Sequence, residues 1–428
     1  MLKLSCGLAI ALLIACASFG PIEESVKAQK QNGAPRPRLM WQYTVPGGFY
    51  LKHPVRVAVD SLDNSYVVTT NSSSASDTPI EVQVVKVSPL GSQIYLTKFT
   101  TVPGSGQDIA VDSSGFAYIL WNNLVSKIDP AGTGLVYHGL STGLIKSVAI
   151  AVDASSNLYI AGQLNNPKGV GPNVAAVAKL DSTGNLLWTR LIGSSGGDAA
   201  FAIALDTTGN VWVTGATTSV DFPTLNPLQA SLAGSTDAFI AKLDMNGNEL
   251  FASYLGGAGF DQGLAIVSDR IGNIHLAGET NSTNFFVLKP GQRTLKGSSD
   301  GFSTVVGPNG SLVSSTYLGG SNFDQIEAIG VDSQRATYVT GFTQSLDFPL
   351  LRSQQTTLLG NWQSFLTSIT QAGSNFNYST YQEQGDLNTF YEGLGLAIDS
   401  QDNVLLAIDS HGYAGGGDHG VLLKFTNK

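Results

Sequence analysis

The chain has 428 residues, of which only 13% are charged and 49 are Gly. This composition favours many short strands joined by tight turns, and it argues against a coiled coil, a helical bundle or a disordered chain. The formal net charge is −9 and no basic run occurs, so no nucleic acid is expected as a partner, because phosphate binding needs clustered Lys and Arg.

The first residues have the pattern of an export signal. Lys3 precedes an apolar stretch over residues 7–17, which is shorter than the roughly 20 apolar residues that span a bilayer. We therefore predict a signal peptide over residues 1–16 and a cell-envelope or secreted location. Residues 17–38 carry Pro, Gln and charge without apolar periodicity, which predicts a flexible tether.

Two cleavage sites are compatible with this signal. The stretch Leu13-Ile14-Ala15-Cys16 resembles the bacterial lipobox, in which Cys16 becomes the lipidated first residue of the mature chain. The stretch Ala15-Cys16-Ala17 also fits ordinary small-residue cleavage before Ser18. We favour lipidation at Cys16, which would be the chain's single attachment to a membrane.

One hairpin pattern then recurs seven times along the chain. Each copy is an apolar alternation, an Asp, a polar turn and a second alternating run, which is typical of a β-hairpin. The anchoring acids are Asp60, Asp112, Asp153, Asp206, Asp269, Asp332 and Asp399. Because each Asp precedes a turn, its carboxylate is expected to accept hydrogen bonds from the turn's backbone N–H groups. A calcium loop would need several oxygen ligands in one loop, and these loops carry too few acids.

A second strand–turn–strand pattern lies between these copies, as in residues 175–193, 238–257 and 301–320. Two hairpins make four antiparallel strands, which is the unit of a β-propeller blade. After the seventh copy, residues 420–428 supply only a third strand, whereas residues 38–48 resemble a fourth. The sequence therefore predicts an all-β, seven-bladed β-propeller over residues 39–428, closed into a ring by its N-terminal strand.

The hairpin followed by T-x-S-x-D-F-P resembles the bacterial SBBP repeat, most closely at residues 203–223, 266–286 and 329–349. The first hairpin is also similar to NHL-type propeller repeats. The resemblance implies the propeller fold and an exported setting, and it supplies no common catalytic residues. In the T-x-S-x-D-F-P loop, Phe222 and Phe348 are predicted to bury their rings against the adjacent blade, with Pro223 and Pro349 stiffening the return.

Asp198, Asp261 and Asp324 each lie eight residues before the anchoring Asp of their blade. We expect them in blade-to-blade loops, where they are weak candidates for a divalent-cation or cationic-ligand site at one mouth of the central channel. The alternative is a repeated turn bond to a backbone donor, which we favour. The matching positions on the other blades are Lys52, Gly104, Ile145 and Tyr391, so any arc of carboxylates is incomplete.

Other catalytic patterns are weak. Ser195 lies in a G-x-S-x-G match, but that motif requires a strand-to-helix elbow, and the next predicted element is a strand. His411, His419 and Asp418 surround a Gly-rich loop and could bind a metal, although a surface turn is the favoured interpretation.

These patterns predict an exported, lipid-anchored propeller that acts as a non-catalytic binding or scaffold module for an envelope protein or glycan. We expect no cofactor and no resident metal, and we expect the protein to be a monomer. The alternatives are a lyase or hydrolase at the channel mouth that uses Asp198, Asp261 and Asp324, and a purely structural surface protein whose ring spaces other components.

Overall fold

The computed structural model of the chain describes residues 37–45, 56–72, 80–101, 106–166, 171–360, 362–371, 373, 375–382, 389–412 and 419–426. The predicted signal peptide, Cys16, Lys52, Gly104 and Asp418 lie outside the described residues. Within them, no helix has the length and apolar character needed to cross a membrane.

The described residues form 28 β-strands and no helix. In chain order the strands are β1 (Arg38–Val45), β2 (Arg56–Val59), β3 (Ser65–Ser72), β4 (Ile80–Val87), β5 (Gln93–Thr101), β6 (Gly106–Val111), β7 (Ala117–Trp121), β8 (Leu124–Ile128), β9 (Leu135–Ser141), β10 (Lys146–Val152), β11 (Leu158–Leu164), β12 (Val174–Leu180), β13 (Leu186–Leu191), β14 (Asp198–Leu205), β15 (Val211–Thr217), β16 (Asp237–Leu243), β17 (Glu249–Leu255), β18 (Asp261–Ser268), β19 (Ile274–Thr280), β20 (Asp300–Val306), β21 (Leu312–Leu318), β22 (Asp324–Val331), β23 (Thr337–Thr343), β24 (Gln363–Ile369), β25 (Phe376–Gln382), β26 (Thr389–Ile398), β27 (Val404–Gly412) and β28 (His419–Thr426).

The strands form seven four-stranded antiparallel sheets, which are the blades of a propeller. Blade 1 is β2–β5, and each following set of four strands forms the next blade up to β22–β25 in blade 6. Blade 7 has the order β26-β27-β28-β1, so it combines the two ends of the chain. The first strand of every blade contacts the first strand of the next, and β26 contacts β2, so the seven innermost strands close a ring around a central channel.

Ring closure follows the predicted pairing. Strand β1 lies antiparallel to β28, with Trp41 opposite Lys424 and Leu39 opposite Phe425. Because β1 supplies the outermost strand of blade 7, the prediction of a seven-bladed ring closed by the N-terminal strand is confirmed.

The anchoring aspartates stabilise the hairpin turns by accepting hydrogen bonds. Asp206 accepts hydrogen bonds from the backbone N–H groups of Thr208 and Asn210, at 2.9 and 3.0 Å, and from Trp212 Nε1 at 3.1 Å. The Lys242 ammonium lies 3.3 Å from the same carboxylate. Burial acts to raise the pKa of Asp206, but these side-chain and backbone donors outweigh it and hold the pKa well below its usual range. The turn role predicted for this Asp agrees with the geometry.

The core is divided among the blade boundaries. The described residues form seven clusters of buried apolar side chains, one between each pair of neighbouring blades, including the pair formed by blades 7 and 1. Both faces of each blade are therefore buried, which explains why the strands read as nearly continuous apolar runs. This packing holds the innermost strands, and the channel they enclose, in place.

We call the face at which the innermost strands begin the loop face. In a four-stranded meander, this face carries both the blade-to-blade connections and the connections between the second and third strands. The opposite face carries the Asp-anchored turns.

Candidate functional site

Asp198, Asp261 and Asp324 are the first residues of β14, β18 and β22, and all three are buried. Asp261 accepts hydrogen bonds from Ser282 Oγ and the Gly257 N–H, both at 2.8 Å, and from Thr280 Oγ1. The Thr and Ser belong to the T-x-S motif of the same blade. The equivalent donors in the other two blades are Thr217, Ser219 and Ser194 for Asp198, and Thr343, Ser345 and Gly320 for Asp324.

Each of these carboxylates is thus enclosed by donors from its own repeat, which supports the interpretation of a repeated turn bond. They stand inside the blades rather than in loops facing the channel mouth. Across the described ranges, no group of three or more His, Cys, Asp or Glu side chains is arranged to hold a metal ion.

Asp261 and Asp324 each lie near a second buried acid, Asp237 and Asp300 respectively. A Cβ on Gly319 would lie 2.6 Å from Asp300 Cγ and 2.7 Å from Asp324 Oδ2, so only glycine fits between the two carboxyl groups. Burial raises the pKa of Asp324 to about 7 although its Thr, Ser and backbone donors lower it, and Asp300 adds a further increase. Burial also raises the pKa values of Asp198 and Asp261.

The aromatic ring of the T-x-S-x-D-F-P motif packs against the third and fourth strands of its own blade. The Phe222 ring lies 5.0 Å from that of Phe239 and 5.4 Å from that of Tyr254. The Tyr254 hydroxyl donates to the Ser219 carbonyl at 2.6 Å and accepts from the Phe222 N–H at 3.0 Å. These ring contacts lie within blade 4, because the loop folds back over its own third and fourth strands. Phe222 also belongs to the apolar cluster shared by blades 3 and 4, and Phe348 to the one shared by blades 5 and 6, so the predicted burial against the adjacent blade agrees with the packing.

Of the remaining sequence candidates, the structure describes the side chain of Ser195. Ser195 Oγ donates to Asp221 Oδ1 at 2.6 Å, and the element that follows is strand β14, so the strand-to-helix elbow is not formed. His411 lies in β27 and His419 begins β28. Their side chains, like Asp418, fall outside what the structure describes.

The central channel brings together charged residues that the sequence interpretation missed. A cavity of about 150 Å³ is lined by residues of all seven innermost strands. Arg56, Asp108 and Glu327 contribute charge from blades 1, 2 and 6, whereas the lining residues of the other blades are apolar or small. A register shift that marks a β-bulge occurs at this level in β6, β10, β14, β18, β22 and β26.

The two channel acids are held in different ways. Asp108 accepts hydrogen bonds from the backbone N–H groups of Ile150 and Ile109, both at 2.9 Å. Burial nevertheless raises the pKa of Asp108 to about 6, although both N–H groups and the Arg56 guanidinium lower it. Burial also raises the pKa of Glu327, which Arg56 and the Gln325 amide partly oppose. Arg56 Nη1 itself donates to the Leu394 carbonyl.

A sequence signal for these residues was available. Four residues before the anchoring Asp, the repeats have Ala or Gly except for Arg56 and Asp108. One position earlier, Glu327 stands where other blades have Val148, Phe201 or Leu264. The three charges therefore stand out when the copies are aligned slightly upstream of the hairpin, at two positions where most copies have small or apolar residues.

The outer edges of the blades differ in how they are covered. In blades 4, 5 and 6 the loop between the second and third strands returns along the outermost strand and pairs with it antiparallel, through Leu225 and Ala252, Leu288 and Ser315, and Leu351 and Ser379. In blade 3 the same connection spans only residues 165–173. No described residue pairs with the outer edge of its β13, where Leu186, Leu187 and Leu191 are 49%, 52% and 40% exposed.

Comparisons with known proteins agree with this architecture. Residues 187–223 match the SBBP beta-propeller repeat family. The regulatory protein FlaEY of Caulobacter vibrioides is 27% identical over 143 residues, which are 33% of this chain. The chain spans only 15% of the length of that relative.

Similar solved structures have low sequence identity to this chain. The polysaccharide lyase Uly1 superposes with a TM-score of 0.50 at 11% identity, covering 95% of this chain and 94% of its own. The gluconolactonase XC5397 from Xanthomonas campestris has a TM-score of 0.38 at 11% identity, covering 72% of this chain and 82% of its own. At this identity the likeness to Uly1 concerns the fold alone. With seven four-stranded blades, the chain is a seven-bladed β-propeller in which residues 187–223 match the SBBP repeat.

Proposed function

We propose that this propeller is an exported, lipid-anchored, non-catalytic binding module that docks an extended segment of an envelope protein on the outer edge of blade 3. Export and anchoring are supported by the apolar segment that ends in Leu13-Ile14-Ala15-Cys16. A non-catalytic role is supported by the hydrogen bonds that enclose Asp198, Asp261 and Asp324 within their own repeats.

The observation that carries the docking site is the way blades 4–6 cover the same edge. Leu225 N–H donates to the Ala252 carbonyl at 2.9 Å, and Ala252 N–H donates to the Leu225 carbonyl at 3.0 Å. Blades 5 and 6 repeat this reciprocal pair with Leu288 and Leu351. The outermost strand of this repeat therefore accepts an antiparallel, Leu-containing segment.

Strand β13 offers the same hydrogen-bonding groups. Thr189 lies opposite Ala178 just as Ala252 lies opposite Ala241, and both pairs of strands have a bulge at the equivalent position. By this register, Thr189 directs its N–H and carbonyl outward, as Ala252 does. An exposed edge of this kind pairs with an extended peptide. Backbone pairing favours a protein over a glycan, and the exposed leucines favour a segment with apolar side chains.

Site-specific photocrosslinking in the producing cells tests this docking site. A photoreactive residue at Leu187, beside the uncovered edge, is expected to trap a partner. The same residue at Leu250 is expected to trap none, because Leu250 holds the matching position on the covered edge of blade 4 and is 42% exposed. Thr189→Pro should abolish the adduct, since proline removes the N–H that pairs with the partner, whereas Thr189→Val should keep it.

Equal adducts at positions 187 and 250, no adduct at 187, or an adduct at 187 that survives Thr189→Pro would each overturn the docking site. Circular dichroism of purified Thr189→Pro shows whether the blade has kept its strands. If that variant does not fold, the comparison of positions 187 and 250 in the otherwise unchanged chain still decides the question.

Lipid anchoring has a separate test. Metabolic labelling with a fatty-acid analogue should mark the wild-type chain and leave Cys16→Ala unmarked, because the thiol at residue 16 is the predicted attachment point. Label retained in Cys16→Ala would contradict the anchor without bearing on the docking edge.

A further inference from the structure

The central channel holds an excess of negative charge. Among the described residues that line the cavity, Asp108 and Glu327 are the acids and Arg56 is the cation, and the Arg56 guanidinium already donates to the Leu394 carbonyl. Glu279 lies close enough to raise the pKa of Glu327 further. It accepts hydrogen bonds from Gln262 Nε2 at 2.9 Å and Ser299 Oγ at 2.7 Å. When these groups are ionised, the carboxylates outnumber the one guanidinium.

The rest of the wall is apolar. Phe201, Leu264, Val148 and Leu394 line the cavity from blades 4, 5, 3 and 7. Each comes from an inner strand that has a register shift at this level. The cavity therefore has a charged side formed by blades 1, 2 and 6 and an apolar side formed mainly by blades 3, 4 and 5.

The inner strands form without this charge in other repeats. The other copies have Ala or Gly at the position of Arg56 and Asp108, and Val, Phe, Leu or Gln at the position of Glu327. Buried carboxylates in excess of their counter-charges are unfavourable. A cationic ligand would relieve this excess, and an anion would be repelled. The amphipathic lining also has the form of a small-molecule site, with a few polar groups converging on an apolar pocket.

We propose that the channel binds a small apolar monocation, such as a primary ammonium compound, with the ammonium between Asp108 and Glu327 and the apolar body against Phe201 and Leu264. The volume of about 150 Å³ corresponds to roughly ten water-sized spaces, at about 10–15 Å³ for each water. The expected ligand therefore has about that many non-hydrogen atoms. An aromatic face such as that of Phe201 also attracts an organic cation.

Isothermal titration calorimetry with three probes of similar size tests this proposal on the purified chain. Benzylamine, with roughly eight non-hydrogen atoms, fits the volume argument and is expected to bind in the sub-millimolar range. Benzyl alcohol, which has the same shape without charge, and benzoate are expected not to bind. Binding of benzyl alcohol as tight as that of benzylamine, or no binding of benzylamine, would overturn the proposal without the use of any variant.

Variants locate the site. Glu327→Gln and Asp108→Asn should each weaken benzylamine binding by at least about tenfold, because each removes a charged hydrogen-bond acceptor. Phe201→Ala should weaken binding of the same amine by removing its apolar contact. The matched control is Glu81→Gln, because Glu81 pairs with Lys98 at 3.0 Å on the exterior of blade 1 and its loss should leave binding unchanged.

Benzylamine affinity that is unaffected in both Glu327→Gln and Asp108→Asn would place the amine elsewhere and refute the channel site. The assay contains no protein partner, so its outcome is independent of the docking edge on blade 3. Failure of one proposal can therefore be told apart from failure of the other.

Discussion

At the scale of single residues, the same side chain has opposite ionisation behaviour at the two faces of the ring. Asp206, in a turn, has a lowered pKa because many donors converge on it. Asp324, on the loop face, is enclosed more deeply and lies near Asp300, so burial outweighs its three donors and raises its pKa to about 7. The balance between desolvation and hydrogen bonding, rather than the residue type, decides the direction.

Asp108 allows a test of this balance within the channel. Burial raises its pKa to about 6 from an ordinary value near 3.9, so the folded chain binds the proton more tightly than the unfolded chain. Its contribution to the free energy of unfolding is therefore greatest below about pH 4 and falls as the pH rises towards about 6, by up to about 1.4 kcal/mol per pH unit. Arg56 and Glu327 also face this cavity. Both are present in the wild type and in an Asp108→Asn variant, so comparing the two proteins isolates the contribution of Asp108.

Urea unfolding followed by circular dichroism at several pH values from 4 to 7 measures this slope. Subtracting the Asp108→Asn curve from that of the wild type should leave a decline with rising pH. A difference that stays flat, or that increases with pH, would contradict the raised pKa.

At the scale of elements, the hairpins were predictable because their determinants are local. In each hairpin, an Asp accepts hydrogen bonds from the turn N–H groups two and four residues later, and a strand of alternating apolar residues lies on either side. These contacts specify strand, turn and strand without residues from elsewhere in the chain. Asp60 and Asp269 accept the same pair of backbone hydrogen bonds as Asp206. The repeat of this unit, and the odd strand left at each end of the chain, were enough to predict the blades and their number.

The hydrogen bonds around Asp198, Asp261 and Asp324 and the charges in the channel were harder to predict from the sequence. The repeated position of Asp198, Asp261 and Asp324 indicated a common turn bond, but not that Asp261 would be fully enclosed in its blade. The β-bulges that turn Glu327 towards the channel depend on how inner strands crowd around an axis, which no single repeat encodes. The return of Leu225 along β17 likewise depends on the length of a connection rather than on a motif.

At the scale of the whole molecule, the channel exists only because the ring closes. The inner strands of blades 1, 2 and 6 carry the three charges, and blade 7 stands between blades 6 and 1. Blade 7 in turn depends on β1, since its own chain segment supplies only three strands. One short strand from the beginning of the chain therefore supports both the last blade and the geometry of the cavity.

Removing β1 tests this dependence. A chain that begins at Pro37 is compared with one that begins at Pro46, which lacks the strand. The shorter chain loses Val45, which is 2% exposed, together with the packing of Trp41 and Tyr43 on the cluster shared by blades 7 and 1. It also leaves the edge of β28 unpaired, beside side chains such as Leu422 that are fully buried in the closed ring. We expect a loss of roughly 3–5 kcal/mol in the free energy of unfolding, from about 1.5–3 kcal/mol for each large apolar side chain that is fully buried.

Urea titration of both chains measures the difference, and size-exclusion chromatography reports aggregation through the free edge of β28. A synthetic peptide of residues 37–45 added to the shorter chain should restore part of the stability, because it can occupy the vacant position beside β28. A peptide with Tyr43→Pro serves as its control, since proline removes an N–H from the pairing strand. Equal unfolding midpoints for the two chains would show that β1 is not needed to hold the ring closed. Recovery that is the same with either peptide would show that the stability does not come from strand pairing.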